Sequence, residues 1–158
     1  MQGGRAKAYR PLPLGQRQAA LTAFMAAYDR GDAFLAHELL EPAWMGTADP
    51  AERDLYQGLI KLAAAEVHAV RGNPLGEAKN LRGARMRLGE AVRSDVLAGP
   101  AAGPAAELDL VGLLTGIDAR LAALVEATIP SIRPDGPTIP LARSGGGAGP
   151  EPRSDPAR

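Results

Sequence analysis

The sequence predicts an all-α fold, a single compact bundle of about five helices. Three observations carry that expectation. Alanine (31) and leucine (20) far outnumber the β-branched residues (6 Val, 5 Ile and 5 Thr), and aromatics are only 4% of the 158 residues. Alanine and leucine lose little on entering a helix, whereas strands favour β-branched and aromatic side chains. Apolar residues recur three and four positions apart in five segments, and helix start and stop signals divide those segments.

Helix one is expected over about Gln16–Arg30, where Leu21, Phe24, Met25 and Tyr28 share a face and Gly31 suits a left-handed helix end. Asp32 caps helix two, which carries Phe34, His37, Glu41 and Trp44 in one stripe. Pro42 inside that pattern predicts a kink or a stop near Glu38. Asp49-Pro50-Ala51-Glu52 opens helix three with a capping carboxylate, proline at the first helical position and glutamate placed for a capping box. It runs to about Arg71, before Gly72-Asn73-Pro74. Its core stripe is Leu55, Leu59, Leu62 and Val70, with Glu66 in the middle and therefore in need of a partner or of water.

Asn73 and Pro74 start helix four, whose buried side is Leu81, Ala84, Leu88, Ala91 and Val92. Gly76 and Gly83, one heptad apart, would let a neighbouring helix approach closely. After the loop A-G-P-A-A-G-P, helix five spans about Glu107–Ala127, with a seam of Leu110, Leu114, Ile117, Leu121 and Leu124. Such a seam packs within the bundle or joins two copies as a homodimer.

Residues 1–13 read as a flexible arm, 14–130 as the helical domain, and 131–158 as a disordered tail with 6 prolines and 5 glycines in 28 residues. The zero net charge conceals a division, because residues 16–130 carry 11 basic and 15 acidic groups (net −4) while the arm carries +3. That balance argues against nucleic acid as a partner, and the cations of helix four (Lys79, Arg82, Arg85, Arg87 and Arg93) are spread round it beside Glu77 and Glu90. No apolar run is long enough to span a membrane and no signal peptide is apparent, so a cytoplasmic location is expected. Without cysteine there is no disulfide, thiolate metal site or cysteine nucleophile. Phosphate-loop, dinucleotide and nucleophile-elbow motifs are absent.

Polar chemistry concentrates on two helices. On helix three Arg53, Gln57 and His68 line up roughly opposite the core stripe. On helix two His37 and Glu41 share a face and Glu38 flanks them. If the two strips face each other, His37, Glu38, Glu41, Trp44, Arg53, Gln57 and His68 form a polar cleft. Three readings stay open. The cleft is a structural network locking the helix crossing. It is a pocket for an anion, small ligand or protein partner. Or it is a divalent-metal site with His37, Glu41 and His68 as ligands, Glu38 as general base and Arg53 as electrophilic donor. The metal motif is weak, since His37-Glu38-Leu39-Leu40-Glu41 lacks the second histidine of H-E-x-x-H. A non-catalytic binding or scaffold protein is the leading expectation, and a metal-dependent hydrolase-like enzyme is the alternative.

The same residues carry a resemblance. G-D-A-F-L-A-H-E-L-L-E-P-A-W (31–44), R-D-L-Y-Q-G-L-I-K-L-A-A-A-E-V-H (53–68) and G-N-P-L-G (72–76) resemble domain of unknown function family 309, over about residues 20–95 and more loosely through helix five. The resemblance implies a small all-helical domain of a mostly bacterial family, with no activity attached. It implies that His37, Glu38, Glu41, Trp44, Gln57, Gly58, His68, Gly72 and Asn73 occupy signature positions. Two departures stand out: Glu77 where the family usually has alanine, and Asn80 where an apolar residue is common. Both put the packing at the start of helix four in question.

Overall fold

The computed structural model describes residues 9–98, 100–127 and 138–144. Five α-helices follow one another: α1 (Leu14–Asp29), α2 (Ala33–Met45), α3 (Pro50–Val70), α4 (Pro74–Arg93) and α5 (Leu110–Ala127). A 3₁₀ segment, Pro100–Glu107, lies between the last two in place of the expected loop and is broken at Gly103. Among the described residues there is no strand, only an isolated bridge between Leu108 and Arg143. No helix among them is long and apolar enough to cross a membrane.

The punctuation read from the sequence works through specific hydrogen bonds. Asp32 accepts from the Leu35 amide, Asp49 from those of Ala51 and Glu52, and Asn73 from that of Gly76. Gly31 and Gly72 take φ of +81° and +67°, and after each the next amide bonds back across the turn, Asp32 to Ala27 O and Asn73 to His68 O. That is the Schellman arrangement, which favours glycine because the left-handed conformation crowds a Cβ. Two similar Gly-Asx joints thus end α1 and α3 and start α2 and α4.

Helix α3 is the centre of the bundle. It packs on α2 and on α4, while α1 covers α2 and α5 covers α4. The α3–α4 contact is tight at Gly58, where an added Cβ would sit 2.7 Å from the Leu88 side chain. Leu21, Phe24, Leu40, Leu55, Leu59, Leu62, Leu81 and Leu88 are essentially removed from solvent, and burial of each contributes about 1.5–3 kcal/mol before entropy is counted. On α5, Leu110 and Ile117 of the expected seam are buried in this same core, joined by Leu113, and Leu114, Leu121 and Leu124 pack against it.

Three expectations need correction. Helix α2 does not stop near Glu38 but runs through Pro42 to Met45. Its core side is Ala36, Leu40 and Ala43; of the Phe34 stripe, Phe34 is exposed while Trp44 packs half-buried against the core. Val70 is 89% exposed rather than core, because it is the last residue of α3, just before the chain turns into α4. Glu52 does not close a capping box; the Asp49 amide bonds Thr47 Oγ1 instead, and the Glu52 carboxylate turns toward α1.

The expected tail is also not uniform. Residues 138–144 lie against the bundle, with Ile139 and Leu141 buried. Their backbone is well satisfied: Ile139 N–H donates to Glu66, Tyr28 Oη donates to Ile139 O, and Asp109 N–H donates to Ala142 O. Proline-rich composition argued for a solvated tail, but two apolar side chains two residues apart suffice when a groove and polar partners await them. The rest of the expected tail (131–137 and 145–158) and residues 1–8 of the arm lie outside the described residues. Within the arm, Leu12 N–H donates to Gly46 O and its side chain packs against the core.

Candidate functional site

The outward stripe of α2 gathers the donors. His37, Glu38 and Glu41 each offer one ligand atom, and these atoms all lie within 4.8 Å of one another. His37 and Glu41 are one helical turn apart, as are Glu38 and Glu41, so a single turn presents all three groups. His37 Nδ1 lies 3.3 Å from Glu38 Oε1. The imidazole is about one-third exposed and the Glu38 carboxylate about half, leaving the cluster open to solvent.

Trp44 and Arg53 stand beside it. The Arg53 guanidinium carbon lies 5.8 Å from the centre of the Trp44 ring, a cation–π distance, and its Nη1 donates to Thr47 O at 3.3 Å. Trp44 Nε1 is shielded from solvent and has no hydrogen-bond partner among the described residues. A shielded N–H without an acceptor costs about 1–3 kcal/mol, so this donor is a point of unmet bonding capacity at the α2–α3 junction. Gln57 is half-buried on α3.

His68 is elsewhere. Expected to face helix two, it packs on α4: a Cβ added at Gly76 would come within 2.5 Å of His68 Nδ1. Asn73 Nδ2 lies 3.1 Å from the same nitrogen, so the amide donates and Nδ1 accepts. One heptad earlier, Lys61 fills the corresponding space over Gly83. The two glycines recognised as a line of close approach are therefore what receive Lys61 and His68. The ligand set His37, Glu41 and His68 is not assembled, because the described group of three donors is His37, Glu38 and Glu41. A third helix, α4, offered His68 a better-fitting surface than α2.

A second polar cluster was not foreseen. Arg17 on α1 grips Glu52 on α3 with two bonds, 2.6 Å through Nε and 3.1 Å through Nη2, and its Nη1 donates to Leu12 O. Tyr56 Oη donates to the same carboxylate at 2.6 Å and Thr47 Oγ1 at 3.1 Å. Every partner is an ordinary residue on a different turn or helix, and only the local Glu52–Tyr56 spacing of four was visible in advance. Burial, followed by the Glu52 hydrogen bond, pushes the Tyr56 phenol above its ordinary range.

Glu66 does find partners. It accepts from Ile139 N–H at 3.0 Å, yet burial still holds its carboxyl above the usual carboxylate range. Glu77, the departure from the family pattern, is buried and bonded at 2.6 Å to Arg120 of α5, and Asn80 bonds back to Gly76 O. The polarity of early α4 is thus answered from α5 and from within α4.

The sequence family described as Domain of unknown function (DUF309) matches residues 21–84. This is the family that the helix-two and helix-three motifs resemble. The DUF309 match begins in α1, contains all of α2 and α3 and ends within α4, so the His37–Glu38–Glu41 cluster, the Trp44–Arg53 contact and the His68–Asn73 joint all fall inside it. Arg120 and the Ile139 strap fall beyond it. Comparison with curated proteins and with solved structures returns no match.

Proposed function

We propose that this chain is a cytoplasmic, non-catalytic binding protein whose α2 face takes a divalent cation through His37, Glu38 and Glu41. One observation carries the reading: three nitrogen and oxygen donors from a single helical turn lie within 4.8 Å of one another on an open surface. Imidazole and carboxylate suit zinc, manganese and related divalent ions. Donors from one turn cover one side of an ion only. The remaining positions stay available to a small ligand or to a partner protein, with Trp44 and Arg53 flanking the approach.

With Glu38 among the ligands, no carboxylate of the cluster is left over as general base, which favours binding over hydrolysis. The hydrolase-like alternative has support in the 3.3 Å contact between His37 Nδ1 and Glu38 Oε1. There Glu38 serves as base, His37 and Glu41 are the only protein ligands, and Arg53 is the electrophilic donor.

Calorimetric titration of the purified chain with Zn²⁺ and Mn²⁺ tests the proposal. Saturable binding is expected, at least tenfold weaker in His37→Ala and Glu41→Gln and unchanged in His68→Ala. Absence of saturable binding, or full-strength binding by His37→Ala, overturns it. Metal-dependent hydrolysis of a nitrophenyl ester that disappears in Glu38→Gln would instead establish the enzyme reading.

A further inference from the structure

The end of α3, the beginning of α4 and the end of α5 enclose a cleft of about 670 Å³, remote in sequence from the α2 cluster. Its volume lies within the range of small-molecule sites. Two carboxylates line it, Glu66 and Glu77, and their residues are only 7% and 5% exposed. Arg120 also lines it and bonds Glu77 at 2.6 Å. Among the described residues two buried carboxylates therefore share the partly buried Arg120 guanidinium. Glu66 takes the Ile139 amide and has the Tyr28 phenol beside it but forms no ion pair among the described residues, and its neighbour Glu77 adds to the burial that disfavours its charge. Arg82 lies at the exposed edge, where water screens its field.

The rim has the opposite character. Val70, Leu75 and Val125 line the cleft and are 89%, 84% and 68% exposed. Three large apolar side chains around one opening, above an acidic floor, form an amphipathic site. Solitary exposed apolar residues are ordinary, but a group of them bordering a cavity marks a place where apolar surface is covered by something else.

We infer that this cleft binds a small organic amine with an apolar body. The ammonium group donates to Glu66 and Glu77, and the hydrocarbon part lies along Leu121 and the apolar rim. Charge complementarity selects the cation: a bound ammonium adds positive charge beside two carboxylates that lie against Arg120, and its N–H groups match carboxylate acceptors. An anion in the same place would face two buried carboxylates. The inference is independent of the α2 cluster, with which it shares no residue.

Calorimetric titration of the full chain with hexylamine, hexanol and hexanoate near neutral pH tests it. Hexylamine is expected to bind saturably at one site, and hexanol and hexanoate at least tenfold more weakly. Glu66→Gln keeps the acceptor for Ile139 N–H but loses the charge, and should weaken hexylamine binding at least tenfold. Ala123→Trp, which fills the cleft from α5, should abolish binding while the helical circular dichroism is retained; His37→Ala should bind hexylamine normally. No saturable binding of hexylamine, equal binding of hexanoate, or undiminished binding in Ala123→Trp overturns the inference.

Discussion

The two ends of α3 handle a glutamate carboxylate in opposite ways. Near its N-terminus Glu52 receives a two-bond grip from Arg17 and hydroxyl donors from Tyr56 and Thr47. Fourteen residues later, about 21 Å along the axis, Glu66 receives one backbone amide, has the Tyr28 phenol beside it and shares the field of Arg120 with Glu77. The first carboxylate is compensated by a neighbouring cation and behaves as a fastener between α1 and α3. The second is undercompensated and opens on a cleft. The same residue type on the same helix is structural at one end and available at the other, and the number of donors pointed at it makes the difference.

The largest effect is expected from removing Arg120 at the undercompensated end. Arg120→Met leaves Glu77 buried without its guanidinium and Glu66 without a nearby positive charge, and should cost about 3 kcal/mol, read from urea unfolding. Arg17→Met at the other end should cost less, about 2 kcal/mol, because Tyr56 and Thr47 still satisfy Glu52 and because the pair is partly exposed. Equal losses at the two ends would erase the contrast.

Titration sharpens the same comparison. Glu66 is held above the ordinary glutamate value of 4.5, first by burial. Between that value and its raised folded one, the native protein keeps a proton that the unfolded chain has released. Its contribution to stability is therefore full below about pH 4.5 and is lost as pH rises, with a slope of at most about 1.4 kcal/mol per pH unit. Unfolding free energies measured upward from about pH 4 should show stability falling in wild type and not in Glu66→Gln. Tyr28 is likewise pushed above its ordinary value, by burial and then by Glu66. Its neutral phenol is stabilising and becomes a liability only as alkaline pH passes the unfolded value near 10. The smallest effect is expected from Tyr28→Phe, which removes the bond to Ile139 O, costs about 1 kcal/mol at neutral pH and flattens the alkaline loss.

Much of the fold could be read before any coordinates because it depends on neighbours in sequence. Caps, proline starts and glycine ends involve residues within five positions of one another, so Asp32, Asp49 and Asn73 declare themselves. The candidate site was legible to the extent that it lies on one helical turn: His37, Glu38 and Glu41 are close because helices repeat every 3.6 residues. His68 was misplaced for the complementary reason. A helical wheel gives the direction of a side chain from its own axis but not which helix lies in that direction. The line of Gly76 and Gly83 held the missing information, since a smooth strip on α4 invites long side chains from whatever packs on it.

Composition and periodicity by themselves determined an all-helical body, its joints and one cluster of metal-competent donors, because those properties are local and are set by backbone geometry. The tertiary structure decided the partners: Arg17 for Glu52, Arg120 for Glu77, the Ile139 strap for Glu66 and α4 for His68. A buried charge announces in sequence only that it needs a partner. Which residue answers, and whether the answer is complete, depends on contacts between residues as many as 73 positions apart, as for Glu66 and Ile139.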